Sequence, residues 1–116
     1  EAARRLTYHL GGRVASVTMP YSVINELDLK DEHLDTVIEI PRSVEGVEVA
    51  FAIRQTENKP LFRVSMRSAS EVDVAAICKS FGGGGHARAA GCTFSAENME
   101  DAVEKLVGAI DFEALN

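Results

Sequence analysis

Apolar and polar positions alternate along residues 46–54, GVEVAFAIR. Val47, Val49, Phe51 and Ile53 fall on one face, with Ala50 and Ala52 on the other. A period of two marks a strand, and small apolar residues on the back predict that a helix packs there as well. Residues 61–67, LFRVSMR, repeat the pattern: Phe62, Val64 and Met66 face inward, while Arg63, Ser65 and Arg67 share the opposite side. The intervening TENKP reads as a turn, so the two runs predict a β-hairpin. Upstream, RVASVTM at 13–19 is rich in β-formers and bounded by Gly12 and Pro20, which predicts another strand.

The remaining segments follow a helical period. Residues Ala2 to Leu10, ending at Gly11-Gly12, read as a helix. Residues 21–39 predict two helical pieces, the first capped by Ser22 and the second opened by Lys30 or Asp31. Leu27, Leu34, Val37 and Ile38 supply apolar contacts, and Pro41 ends the run. Ser70, three residues before Asp73, resembles a capping box for a helix whose Val74, Ile77, Cys78 and Phe81 recur at i, i+3, i+4 and i+7. That helix stops at the glycines beginning at Gly82. Residues 91–94 predict a short strand. A last helix begins near Ser95 or Glu97 and buries Met99, Ala102, Val103, Leu106, Val107 and Ile110. The expected class is α+β: one compact domain whose mixed β-sheet contains a hairpin and is covered by helices.

Composition narrows the function classes. The 116 residues are 46% apolar and 26% charged, a globular mixture. No apolar run approaches the ~18 residues of a membrane span, and no signal peptide opens the chain. Cys78 and Cys92 show no CxxC spacing and read as small buried hydrophobes, so a reducing cytoplasm is the expected location. A net charge of −6 argues against broad electrostatic binding of long nucleic acid. The charge is uneven, however. Arg54, Lys59, Arg63 and Arg67 face a single anion, Glu57, in their stretch, whereas the tail from Glu97 to Glu113 carries six acids and one lysine. One face can therefore suit a small anion while the whole stays acidic.

The candidate chemistry sits in FGGGGHARAAG, residues 81–91. One glycine suffices to end the helix, which leaves Gly83, Gly84 and Gly85 unexplained by capping. Glycine lets backbone approach a ligand, and successive N–H groups can form an anion-binding nest. A short helix over His86–Ala90 would add its N-terminal donors. The segment is neither a Walker loop, since His86 follows Gly85, nor a dinucleotide fingerprint, since a helix precedes it. His86 can donate to a phosphate or leaving oxygen. His9 and His33 lack such context and read as surface residues. Arg67 and Ser68, at a strand end just before the helix, offer a planar fork and a hydroxyl; a solvated arginine is the alternative. Arg88 either reaches the same pocket or faces solvent. Asp31-Glu32-His33 reads as an exposed helix start, and no metal-ligand spacing stands out.

The stretch RVSMRSASEVDVAAICKSFGGGGHARAAGCTF resembles the C-terminal DHH-associated domain of DHH-family phosphoesterases, most strongly the oligoribonuclease (nanoRNase)/pAp phosphatase group. The signature lies at residues 82–91, RS at 67–68 stands where that group places it, and SVEGVEVAFAIRQ at 43–55 is similar to the group's strand entry. The resemblance implies that residues 1–12 end an interdomain linker helix and that 13–116 form the substrate-binding domain of a longer polypeptide. It implies that Arg67 and Ser68 contact the phosphate or nucleotide end, and that the Gly82, Gly83, Gly84 and Gly85 amides and His86 meet the phosphate facing the metals. His86 is then the catalytic candidate and Arg88 a further phosphate contact. This chain holds no cofactor on that reading; manganese belongs to an N-terminal DHH domain absent from it, and the chain alone is expected to be inactive. The implied partners are that domain and a short single-stranded oligonucleotide or nucleotide, with no membrane, and a homodimer of the full-length protein is admitted. Similar domains occur in cyclic-di-AMP phosphodiesterases, in RecJ-type exonucleases and in the RNA-contacting C-terminal domain of alanyl-tRNA synthetases. The acidic balance and the absence of Trp favour short substrates.

Overall fold

A computed structural model describes residues 2–115. Six strands form one sheet in the order β1-β2-β3-β4-β6-β5. They are β1 (Leu6–His9), β2 (Val14–Met19), β3 (Val49–Arg54), β4 (Leu61–Ser68), β5 (Gly84–His86) and β6 (Ala89–Ser95). Only β2 and β3 run parallel; every other neighbouring pair is antiparallel. A parallel pair needs a crossover, and three short helices supply it: α1 (Tyr21–Glu26), α2 (Asp31–Leu34) and α3 (Glu39–Arg42). Two longer helices follow, α4 (Val74–Ser80) and α5 (Met99–Leu115). The expected α+β class and mixed sheet are as found.

The alternation of the strands decides which helices cover which face. Val49, Phe51, Ile53, Phe62, Val64, Met66 and Cys92 point to one side, where Val74, Ile77 and Cys78 of α4 and Ala102, Leu106 and Ile110 of α5 close the main core. On the other side, α1–α3 cover only the β1–β3 half. Ile24, Leu34 and Val37 pack on Val17 and Met19, and Ile38 packs on Ala15 and Ala50. The small Ala50 and Ala52 admit this second layer, as their pattern predicts. Among the described residues, the same face over β4, β6 and β5 has no helix upon it.

Several local expectations are corrected. Residues 2–10 are not a helix: Ala3–Arg5 is one 3₁₀ turn, and Leu6–His9 pairs with β2. Good helix formers yield here to an antiparallel partner that local sequence does not reveal. His9 is half-buried rather than a free surface residue. Its ring stacks on Phe51 with centroids 5.8 Å apart and bonds the Ser16 hydroxyl at 2.8 Å. Residues 21–39 hold the two expected pieces, α1 and α2, but Pro20 rather than Ser22 holds the first N-cap, and Pro41 does not end the run: it sits within a third short helix, α3. A proline in the first turn costs no intrahelical hydrogen bond. Lys30 is the N-cap of α2, and His33 Nδ1 accepts the Lys30 amide at 3.1 Å. Val47 precedes β3 and joins the α3-side cluster, opposite Phe51. Asp73, not Ser70, caps α4 by accepting the Ala76 amide.

Candidate functional site

The glycine run is neither a nest nor the entry to a helix. Gly84–His86 is strand β5 at the edge of the sheet, Ala87-Arg88 is the turn, and Ala89 begins β6. Residues 86–90 therefore contribute no helix N-terminus. The Gly82 amide bonds the Lys79 carbonyl at 3.0 Å and the Gly83 amide bonds the Cys78 carbonyl at 2.8 Å. Both donors are spent on the last turn of α4, so four converging amides do not form.

Three of the four glycines have a structural cause. Gly82 has φ +87°, the left-handed geometry that reverses the chain after α4. A Cβ on Gly83 would stand 2.2 Å from the Gly91 carbonyl oxygen, and one on Gly85 (φ +144°) would stand 2.6 Å from Ala90 Cα. Gly84 alone has neither a positive φ nor any atom within 4 Å of a Cβ. No contact within the chain requires it to be glycine.

The register sets the candidate side chains in rows. Arg67 pairs with Ala89, and Ala89 with His86; Ser65 pairs with Gly91, and Gly91 with Gly84. Directly paired residues share a face, so these rows lie on the uncovered half of the sheet. Ser65 and Arg67 on β4 form one border and Gly84 and His86 on β5 the other, with neighbouring strands ~4.8 Å apart. Between them β6 presents only Ala89 and Gly91. The result is a trough with a methyl-and-backbone floor, an exposed His86 and a half-buried Arg67. As an edge strand, β5 also leaves alternate backbone groups without a sheet partner among the described residues.

Two predicted residues lie elsewhere. Ser68 is paired with Val49 on the covered side and is 8% exposed, and its hydroxyl is engaged with the Ser70 backbone. Arg88 lies in the turn with Nη1 on the Val72 carbonyl at 3.3 Å. The backbone of this turn is clamped as well: the Ser68 amide bonds the Arg88 carbonyl and the Val74 amide the Ala87 carbonyl. Residues 67–68 thus come beside 86–89, with Arg67 alone of the pair facing the trough. Its Nη1 donates to the Met66 carbonyl at 2.9 Å. Ser65, Gly91 and Thr93 also border this face. The period-two alternation already placed Ser65 beside Arg67; the pairing that adds Gly91 and Thr93 is a long-range feature.

Arg67 and His86 face the trough and Arg63 lies farther along β4 on the same face, whereas Glu97, Glu100 and Glu104 are exposed at the start of α5 or just before it, on the opposite side. Among the described residues no group of three His, Cys, Asp or Glu side chains could hold a metal ion. No helix among them is long and apolar enough to cross a membrane.

The fold and this face define an α+β domain with a cationic, side-chain-poor sheet surface. Residues 12–111 match the DHHA1 domain, and the chain belongs to that family. It is 30% identical over 105 residues to the bifunctional oligoribonuclease and PAP phosphatase NrnA of Thermus thermophilus, covering 90% of this chain and 30% of that protein. It is 33% identical over 87 residues to the cyclic-di-AMP phosphodiesterase PdeA of Listeria monocytogenes, covering 71% of this chain and 13% of that one. An exopolyphosphatase-related protein from Bacteroides fragilis shares the fold, with a TM-score of 0.84 at 22% identity over 98% of this chain and 33% of its own. The chain thus spans under a third of the length of the curated relatives it matches.

Proposed function

We propose that the trough grips the phosphate of a short oligonucleotide or nucleotide, and that the chain is the substrate-binding part of a phosphoesterase. The observation that carries this is the row Arg67–Ala89–His86, in which two cationic or donor side chains flank a floor of one methyl and bare backbone. Arg67 supplies a planar fork to phosphate oxygens. His86 donates from the opposite border, and Gly84 lets the ligand approach the edge strand closely. Together they hold charge and orientation at the phosphate, which is where a displacement needs them. Activation of water belongs, on this reading, to manganese held by a separate DHH domain of the same polypeptide, acting in the cytoplasm.

The names of the relatives support oligoribonucleotides, PAP and cyclic-di-AMP as substrate classes, and the net charge of −6 favours short ligands. The test compares 5′-phosphorylated diadenylate, pAp and cyclic-di-AMP as substrates of the full-length protein and its Arg67→Gln and His86→Gln variants. One lost donor of this kind costs about 2.7–4 kcal/mol, or 10²–10³ in turnover. Both variants are expected to lose that much on the linear ligands while melting with the wild type. Wild-type turnover in both would remove Arg67 and His86 from the site. A preference for cyclic-di-AMP would move the substrate class to cyclic dinucleotides.

A further inference from the structure

The uncovered face continues along β4 beyond the residues used above. Arg63 lies four residues from Arg67 on the same side, roughly 13 Å away at ~3.3 Å per residue. Arg54 is directly opposite Arg63 on β3, and Thr93 is opposite it on β6. One cross-strand row thus carries two guanidinium groups and a hydroxyl.

Like charges set opposite each other in a sheet are destabilising, and only one of this pair is compensated. Arg54 Nη1 lies 2.9 Å from Asp35 Oδ1. Arg63 is exposed and makes no ion pair or hydrogen bond among the described residues. The Arg54 side chain is only 10% exposed, and its Nη1, although within ion-pair range of Asp35, directs no hydrogen bond at any acceptor. A recess lined by Arg54, Arg63 and Ser65 and a groove lined by Arg63, Ser65, Gly91 and Thr93 meet at Arg63. A bound anion would relieve the repulsion and give the Arg63 guanidinium an acceptor.

We propose that Arg63, with Arg54 and Thr93 beside it, is a second anion subsite that takes an internal phosphodiester of an oligonucleotide whose terminal phosphate lies at Arg67 and His86. The proposal rests on the trough being a phosphate grip. It makes the face a reader of phosphate number: a mononucleotide fills one subsite, and a longer ligand fills both.

The test is calorimetric titration of the 116-residue chain, which carries its own core, with AMP and with 5′-phosphorylated triadenylate at several salt concentrations. Wild type, Arg63→Gln and Arg67→Gln are compared. Arg63 is exposed and unbonded, so its replacement leaves the fold intact. Arg63→Gln is expected to weaken triadenylate roughly ten-fold, as for one lost charge-assisted contact. It is expected to lower the magnitude of the slope of log K against log salt by about 0.7, one phosphate on a single strand. AMP binding stays unchanged in this variant, while Arg67→Gln weakens both ligands. Wild-type binding of both ligands by Arg63→Gln, with Arg67→Gln still impaired, overturns the second subsite and leaves the grip standing. Equal loss of AMP and triadenylate in Arg63→Gln also overturns it, since Arg63 then serves the first phosphate. No effect of Arg67→Gln, or no saturable binding by wild type, removes the grip itself and the subsite with it.

Discussion

Gly83 and Gly84 are neighbours in sequence, and substituting each with alanine should have opposite consequences. At Gly83 the new Cβ would sit 2.2 Å from the Gly91 carbonyl oxygen and 2.6 Å from Cys92 Cβ. Gly91 is held between β4 and β5, and Cys92 is 6% exposed within the main core, so neither can yield cheaply. Overpacking of this kind costs typically 1–3 kcal/mol, and a backbone obstacle puts Gly83→Ala near the upper end, about 3 kcal/mol. At about 4 °C per kcal/mol for a domain of this size, the melting temperature should fall by roughly 12 °C. At Gly84 a Cβ meets nothing within 4 Å and φ is not positive. Gly84→Ala should therefore stay within about 0.5 kcal/mol of wild type, with a gain through the stiffer unfolded chain offsetting any loss. Its methyl projects into the trough beside Gly91 and Ser65, so it should weaken the binding of 5′-phosphorylated diadenylate instead. Thermal and urea melts followed by circular dichroism give the stabilities, and calorimetry the affinities. Equal melting temperatures for the two variants would refute the packing argument. Unchanged ligand affinity in Gly84→Ala would refute the idea that this glycine leaves room for a ligand.

Two further outcomes follow from titratable groups. The hydrogen bond with Cys92, and then burial, push the Cys78 thiol up, so iodoacetamide at pH 8 should modify native Cys78 orders of magnitude more slowly than the denatured chain; comparable rates would show that the core at the end of α4 is open. Burial holds His9 below its ordinary 6.5. The unfolded chain then takes up a proton before the folded one does, so the His9 contribution is fully present above about pH 6.5 and is lost as pH falls toward the lower folded value. Melting temperatures from pH 7.5 to 5 should therefore decline less steeply in His9→Gln than in wild type, and identical slopes would contradict this.

What the sequence makes legible is the chemistry of alternation. Phe62, Val64 and Met66 against Arg63, Ser65 and Arg67 already separate a core face from an open one, and β4 keeps that division. Short-range patterns likewise locate α4 and α5. The failures share one cause, which is dependence on a distant partner. Leu6–His9 becomes a strand because β2 offers it a free edge. Gly83 and Gly85 are glycine because Gly91, Cys92, Ala89 and Ala90 return against them, residues whose position the local sequence does not state. The nest expectation set one glycine apart as the helix stop and treated Gly83, Gly84 and Gly85 as equivalent, whereas the fold gives each of the three a different role. Ser68 drops out of the face by the same period-two rule that keeps Arg67 in it.

The most direct test of the central claim is a titration of isotope-labelled chain with 5′-phosphorylated diadenylate, followed by amide and arginine Nε–Hε resonances. Saturable shifts at Arg67, Gly84, His86, Ala89 and Gly91, with Ala102 and Leu106 of α5 unmoved, are the expected result. Shifts centred on the α4–α5 side, or none at millimolar ligand, would contradict a phosphate grip on the open half of the sheet.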